Sequence, residues 1–168
     1  MPSDAQSEDA AAFWRYAVAV YRREGVQERC LYLQDDHGLD VNILLFVAWL
    51  AAAHRRSLTP EDCRALIEAT EDWRRDVVRA IRAVRRHVKP MAVRKPGLDV
   101  VYQSLKATEL DAERAQHGLL IEAGRGLGRS AADATALANM RAYLEAAGLD
   151  PEGEAGAAVT AISRLASP

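Results

Sequence analysis

Cysteine is scarce in this chain of 168 residues, and its apolar runs are short. Cys30 and Cys63 are the only cysteines and form no CxxC pair, which argues against a disulfide framework or a cysteine zinc site. The longest apolar run, Ile43 to Ala53, is far shorter than the roughly 20 residues that a transmembrane helix needs. The first residues, MPSDAQSED, are acidic and polar, unlike a secretory signal. We therefore expect a cytoplasmic protein that does not enter a membrane.

No alternation of apolar and polar residues is long enough to predict a strand, whereas helical periodicity recurs along the whole chain. Glycine, proline and capping residues mark boundaries that predict helices over 9–24, 26–36, 41–56, 60–89, 100–123, 130–148 and 150–166. The segment 41–56 is apolar on nearly every side, which is typical of a central helix. The sequence thus predicts an all-α, single-domain bundle of about six helices around a buried helix 41–56, with residues 1–8 disordered.

The stretch from Glu71 to Lys95 is strongly basic. Nine basic and three acidic side chains give it a net charge of +6, which leaves −8 for the rest of the chain. On a helical wheel the basic side chains form one arc, the arginine stripe: Arg75, Arg79, Arg82 and Arg86. The opposite arc is apolar and comprises Trp73, Val77, Ile81, Val84 and Val88. Because like charges at i, i+4 repel by about 0.2–0.5 kcal/mol per pair, we expect something anionic to lie against the stripe.

The next helix offers an anionic partner within the chain. Glu109, Glu113 and His117 fall at i, i+4 and i+8, and consecutive long helices joined by a short connector usually pack antiparallel. In one interpretation, Glu109 and Glu113 neutralise part of the arginine stripe inside the fold. In the other, Arg82 and Arg86 remain free to clamp a phosphate, a carboxylate or an acidic partner, which suits arginine's planar fork. The sequence leaves both interpretations open.

Other motifs suggest sites but have simpler explanations. The carboxylates of DDHGLDVN, residues 35–42, could bind Mg²⁺, and their spacing is loosely like the aspartate motifs of helical prenyl-diphosphate enzymes. A helix end followed by Asp40 as an N-cap accounts for most of this pattern. Asn42 is unusual at the start of an apolar helix, and it either ties down the loop or lines a site.

Metal and nucleotide motifs are also weak. The spacing of Glu109, Glu113 and His117 differs from that of a di-iron bundle, and no second copy is present. The loop GRGLGRS lacks the lysine of a P-loop and follows a helix, so it is interpreted as a turn. No Ser/His/Asp or Cys/His set can be assembled, and the sequence predicts neither a metal site nor a cofactor.

The stretch Leu31–Trp49, LYLQDDHGLDVNILLFVAW, resembles the signature of an uncharacterised family of short proteobacterial proteins, Q-x-x-H-G-x-D-V-N-x-L-L-F-x-x-W-L. The similarity extends from about Phe13 to Leu120 and leaves residues 124–168 outside it. The resemblance implies a bacterial origin and no activity, since the family is a domain of unknown function. It also places five polar residues in the shared pattern: Asn42, Arg82, Arg86, Glu109 and Glu113. These would form either a polar network between three helices or a ligand site.

Two functional hypotheses follow. The leading one is a non-enzymatic interaction or regulatory protein that meets an acidic partner through the basic helix 74–89. The alternative is a small enzyme or binding protein for an anionic, phosphorylated metabolite, with Arg82 and Arg86 as clamps and Glu109 or Glu113 as a general base. A flat basic face favours the first, and a concave pocket favours the second. Nucleic acid is not expected, because no stacking aromatics lie among the arginines; exposed apolar positions allow a homodimer.

Overall fold

The computed structural model describes residues 4–166, and the side chains of residues 4–7 lie outside the description. The described chain forms seven continuous helical stretches, so the predicted all-α bundle is confirmed. In chain order the helices are α1 (Asp4–Tyr21), α2 (Val26–His37), α3 (Val41–His54), α4 (Pro60–Trp73), α5 (Arg79–Arg94), α6 (Asp99–Ala123), α7 (Ala136–Ala146) and α8 (Glu154–Ala166). A π-helical segment, Arg74–Val78, joins α4 to α5 without a break. Of the segment predicted to be disordered, residues 4–8 are helical and residues 1–3 lie outside the described residues.

Helix α3 is the buried centre of the bundle. Asp40 caps it, because its carboxylate Oδ1 accepts a hydrogen bond from the Ile43 backbone N–H at 3.0 Å. Every residue from Ile43 to Ala51 is buried, and helices α1, α2, α4, α6 and α7 all contact α3. The helix ends at His54, where Arg55 takes the left-handed conformation with φ of 50°. The position of α3 therefore decides where the polar residues at its N-terminus lie.

Aromatic side chains connect α1 to α3. The ring centroid of Phe13 lies 5.1 Å from that of Phe46 and 5.4 Å from that of Trp49. Helices α7 and α8 bury side chains in the same core: Met140, Tyr143, Leu144, Val159 and Ile162. One hydrophobic core is thus shared by the beginning and the end of the described chain.

Helix α4 begins at a capping box. Thr59 Oγ1 accepts a hydrogen bond from the Asp62 N–H at 3.2 Å, and Asp62 Oδ2 accepts one from the Thr59 N–H at 2.9 Å. The prediction that this helical stretch stops before Pro90 is wrong, since α5 contains Pro90 and continues to Arg94. Pro90 has no N–H to donate to the Arg86 carbonyl, but both residues are exposed, so water can hydrogen-bond that carbonyl.

A pair of two-residue strands closes the glycine loop. Strand β1 (Arg56–Ser57) pairs antiparallel with β2 (Arg129–Ser130), an element too short for periodicity to predict. Gly128 has φ of 72°, and a Cβ there would lie 2.8 Å from the Ser57 carbonyl oxygen, so this close approach requires glycine. Because Ser130 is part of β2, α7 starts later than predicted, after Thr135 as its N-cap.

The hairpin of α5 and the first part of α6 projects from the bundle. None of the residues from 79 to 108 is buried, although these residues make up two packed helices and their connector. Burial in α6 starts at Glu109 and continues at Ala112, Gln116 and His117. We call residues 79–108 the arm.

Asn139 joins α7 to α3 and to β1, and its removal should be costly. It is fully buried; its Oδ1 accepts a hydrogen bond from the Leu58 N–H at 2.9 Å, and its Nδ2 donates to the Val47 and Arg56 carbonyls at 2.9 and 2.8 Å. We expect Asn139→Ala to lower the free energy of unfolding by about 3 kcal/mol in urea titrations, because three groups lose their partner. Asn139→Asp, of equal size, should cost at least as much because a carboxylate cannot donate. A loss below about 1 kcal/mol for both variants would contradict this role.

Candidate functional site

The arginine stripe meets carboxylates of its own chain where α5 packs on α6. Arg82 donates from Nε to Glu109 Oε1 at 2.8 Å and from Nη2 to Glu113 Oε1 at 2.9 Å. Arg85 donates through Nε to the second oxygen of Glu109. These four side chains are mostly buried, with Glu109 only 9% exposed. We call them the ion-pair layer.

The other arginines of the stripe pair elsewhere. Arg86 donates to Asp35 of α2 at 2.7 Å, and Arg79 donates to Glu71 at 3.4 Å. Arg75 pairs with Asp72 and Asp76 on its own helical stretch, at 2.9 and 2.7 Å, where all three side chains are exposed. Of the stripe, only Arg82 therefore reaches Glu109 and Glu113.

The sequence pattern does not identify Arg74, which is the most buried arginine of the basic stretch. It is 5% exposed, and its Nε donates to Asp40 Oδ2 at 2.9 Å while its Nη1 donates to Glu71 Oε2 at 3.1 Å. A wheel drawn for an uninterrupted α-helix cannot place Arg74 correctly, because a π segment changes the helical register. No other signal in the sequence distinguishes it.

The two glutamates of the ion-pair layer differ in their electrostatics. Burial opposes ionisation of Glu109, but hydrogen bonds from Arg85 and Arg82 outweigh it and lower the pKa of this carboxyl. At Glu113, burial is the larger effect and the charge of Arg82 offsets it only in part, so the pKa of Glu113 is raised. The Glu113 carboxylate therefore binds a proton at a higher pH than the Glu109 carboxylate does.

Asn42 connects α3 to two buried residues of α6. Its Nδ2 donates to Gln116 Oε1 at 3.1 Å, and its Oδ1 lies 3.1 Å from His117 Nε2. In this arrangement the His117 Nε2–H donates, so Nδ1 carries the free lone pair. Nδ1 of His117 and Nε2 of Gln116 are buried and have no hydrogen-bond partner within the described part of the chain. Gln116 lies at i+7 from Glu109, a spacing that could have identified it in the sequence.

Burial also determines the charge of His117. The side chain is 2% exposed, and its ring lies against Phe13 and Trp14, with centroids at 4.2 and 5.5 Å. Burial lowers the pKa of His117 to about 4, against a smaller opposing effect of Asp40. The imidazole is therefore neutral at pH 7, and its Nδ1 is an acceptor.

A cleft of about 320 Å³ opens beside these polar groups. Its polar end includes Asn42, Arg82, Glu113 and His117, which lie on α3, α5 and α6. Its walls are largely apolar and come from α1, α3 and α6: Trp14, Ala17, Val18, Leu45 and Leu110. This combination of an apolar wall with a few convergent polar groups is typical of small-molecule sites.

A second depression of about 520 Å³ adjoins the cleft and shares Gln34, Asp40 and Arg82 with it. Arg74, Arg79 and Arg86 line it, but each of them is paired with a carboxylate of this chain. The depression therefore offers no excess of unpaired positive charge.

The remaining motifs serve the fold in this structure. Asp40 caps α3 and binds Arg74, and Asp35 binds Arg86, so their carboxylates already have partners. Among the described residues, no group of three or more His, Cys, Asp or Glu side chains is arranged to hold a metal ion. None of the helices within residues 4–166 has the length and apolar character that crossing a bilayer requires.

A protein-family model matches residues 12–120, more than half of the chain. The chain belongs to the DUF2390 family, whose function is unknown. The predicted membership of an uncharacterised family is therefore confirmed. A search of curated proteins and a search of solved structures each found no match. The part of the chain that matches DUF2390 contains every residue that lines the cleft, whereas α7 and α8 lie beyond it.

The buried, neutral His117 predicts a specific pH dependence. In the unfolded chain His117 binds a proton below about pH 6.5, whereas in the folded chain it does so only near pH 4. The contribution of neutral His117 to stability is therefore fully present above pH 6.5 and is lost as the pH falls toward 4. The loss from this group should reach about 3 kcal/mol by pH 4. In urea titrations from pH 7 to pH 4, His117→Gln should lose less stability than the parent. Parallel curves for the two proteins would contradict the neutral buried imidazole.

The ion-pair layer predicts unequal effects of two similar substitutions. Glu109→Gln removes the charge that both Arg82 and Arg85 face, and it should lower the free energy of unfolding at pH 7 by about 2 kcal/mol. Glu113→Gln should cost less, because one arginine is affected and burial already disfavours the carboxylate. Urea titrations of both variants check this order, and equal losses or a reversed order would contradict it.

Proposed function

We propose that this protein binds a small, amphipathic molecule in the cleft. The apolar part of the ligand lies against Trp14, Leu45 and Leu110, and its polar group lies at the end formed by Glu113 and His117. The observation that carries the proposal is the Nδ1 atom of His117, a residue that lines the cleft: Nδ1 is a buried acceptor with no partner among the residues that the structure describes.

An unpaired acceptor of this kind is unfavourable unless something binds it. Leaving a buried polar group without a hydrogen bond costs about 1–3 kcal/mol. The Asn42 side chain occupies Nε2 of His117, so Nδ1 is the atom that remains for a ligand. A hydroxyl or N–H group that enters the cleft would donate to Nδ1 and remove this cost. The proposal therefore specifies a ligand with a hydrogen-bond donor next to an apolar body.

The charges around the cleft favour a ligand without a strong negative charge. Two cations line the cleft: Arg82 is already bound by Glu109 and Glu113, and Arg22 is exposed to solvent. Arg86, the second clamp in the hypothesis of a phosphorylated metabolite, binds Asp35 and lines the adjoining depression, not the cleft. A phosphate would have to displace these carboxylates, whereas an uncharged donor would not. This is why we propose an uncharged or zwitterionic ligand.

The hypothesis of an acidic protein partner has less support at the arginine stripe. Every arginine of the stripe has a carboxylate of its own chain within hydrogen-bond distance. A partner would compete with those carboxylates for the same guanidinium groups. The site beside Arg82 is concave, and this shape supports a small-molecule ligand better than an acidic protein partner.

The test uses the indole N–H signals of the three tryptophans in a two-dimensional ¹H–¹⁵N NMR spectrum. Trp14 lines the cleft, whereas Trp73 donates its Nε1–H to the Ala112 carbonyl elsewhere. We expect uncharged amphipathic fragments, screened at about 1 mM, to shift the Trp14 signal. Val18→Phe fills the cleft and should remove the shift, and Val101→Phe, the same change on the arm, should retain it.

Three results bear on the proposal. A shift that is lost in Val18→Phe and weakened in His117→Gln supports a ligand at the polar end of the cleft. No shift of the Trp14 signal with any fragment contradicts the proposal. A shift that persists in Val18→Phe also contradicts it, because the fragment must then bind elsewhere.

A further inference from the structure

The arm exposes an apolar surface that none of the described residues covers. Between residues 79 and 108 no residue is fully buried, although an isolated helical hairpin of this length gains little stability from its own contacts. Val84, Met91 and Val101 are 51%, 36% and 47% exposed. Val93 and Val100, near the connector, are 83% and 65% exposed. Exposed apolar residues grouped in this way mark an interaction surface.

The spacing of these residues is that of a helix-packing seam. On α5, Ile81, Val84, Val88 and Met91 follow one another at intervals of 3, 4 and 3 residues, the repeat that packs helices side by side. Ile81 and Val88 are half-buried, whereas Val84 and Met91 remain exposed. Within the hairpin, only Ile81 and Val88 of the seam are partly covered. Val84 and Met91 are therefore available to pack against a further helix.

The outer part of the arm also carries free positive charge. Beyond Arg86 the cations are Lys89, Arg94, Lys95 and Lys106, and the only acidic residue up to position 108 is Asp99. Among the described residues none of these four cations forms an ion pair; Lys106 lies over the Tyr102 ring, and Arg94 donates to the Pro90 carbonyl. The exposed seam therefore lies on the same helical hairpin as four cations that have no carboxylate partner among the described residues.

We propose that the arm binds an acidic amphipathic helix of another protein, which packs along the seam of α5. Apolar residues of the partner cover Val84 and Met91, and its carboxylates pair with Lys89 and Lys95. This surface is separate from the cleft, so the inference does not depend on the proposed ligand.

Other occupants fit the surface less well. A second copy of the chain would bring two arms of the same positive charge together. Nucleic acid does not explain an exposed seam of valine and methionine, and single strands require stacking aromatics. Helices that lie in a membrane surface carry Trp, Phe or Leu on the apolar face, whereas the residues that the arm exposes are valines and a methionine.

The experiment measures binding of two designed peptides to the full chain by fluorescence anisotropy at low salt. One labelled peptide has about four heptads with Leu at a and d and Glu at e and g, and its matched control has Lys at e and g. We expect the Glu peptide to bind and the Lys peptide not to bind. Val84→Asp should weaken binding by about tenfold or more. Leu31→Asp changes an exposed apolar residue of α2, 40% exposed, and should leave binding unchanged.

A charge exchange makes the test sharper. In the double variant Lys89→Glu with Lys95→Glu, the preference should reverse, so that the Lys peptide binds better than the Glu peptide. These residues are exposed, and thermal unfolding checks that each variant folds like the parent.

Several outcomes would overturn the inference. The first is that neither peptide binds, or that both bind equally well. The second is self-association in sedimentation equilibrium that Val84→Asp abolishes, which would assign the surface to a second copy. The third is co-sedimentation with phosphatidylglycerol vesicles that Val84→Asp abolishes, which would assign it to an anionic membrane.

Discussion

Asp40 connects three parts of the bundle that are far apart in the chain. Its Oδ1 accepts the hydrogen bond that starts α3, and its Oδ2 binds the buried guanidinium of Arg74 in the π segment. Its backbone N–H donates to the hydroxyl of Tyr143 on α7 at 2.9 Å. One residue thus sets where the central helix begins, and it supplies the negative charge that makes a buried arginine tolerable.

The polar end of the cleft follows from the position of Asp40. Asn42 lies two residues later, in the first turn of α3, and is therefore held against Gln116 and His117 of α6. Both polar groups of the Asn42 side chain are used in this contact, and Nδ1 of His117, a residue that lines the cleft, has no hydrogen-bond partner among the described residues. Tyr143 lies outside the segment that matches DUF2390, yet its hydrogen bond to Asp40 helps to hold this arrangement. The site therefore depends on helices that do not line it.

The sequence predicted the helices and the central one well, because helical periodicity and capping residues such as Asp40 and Thr59 are local signals. It also predicted that Arg82 can meet Glu109 and Glu113, since antiparallel packing of consecutive helices follows from a short connector. It could not predict that Arg86 binds Asp35, because that contact depends on where the fold places the end of α2 relative to α5. Nor could the sequence predict that His117 is buried, because the rings that cover it, Phe13 and Trp14, belong to a helix distant in the chain.

The basic stretch Glu71–Lys95 divides into two parts with different electrostatics. Arg82 and Arg86 are bound by carboxylates that lie outside the stretch, so its sequence charge of +6 overstates what a partner would meet. Lys89 and Lys95, farther along, have no such carboxylates among the described side chains, and both residues are exposed to solvent. Their neighbours on the arm are also the residues with uncovered apolar surface. A protein partner gains from both features only at the arm, which is the physical reason to place a protein interface there and a small-molecule site at the cleft.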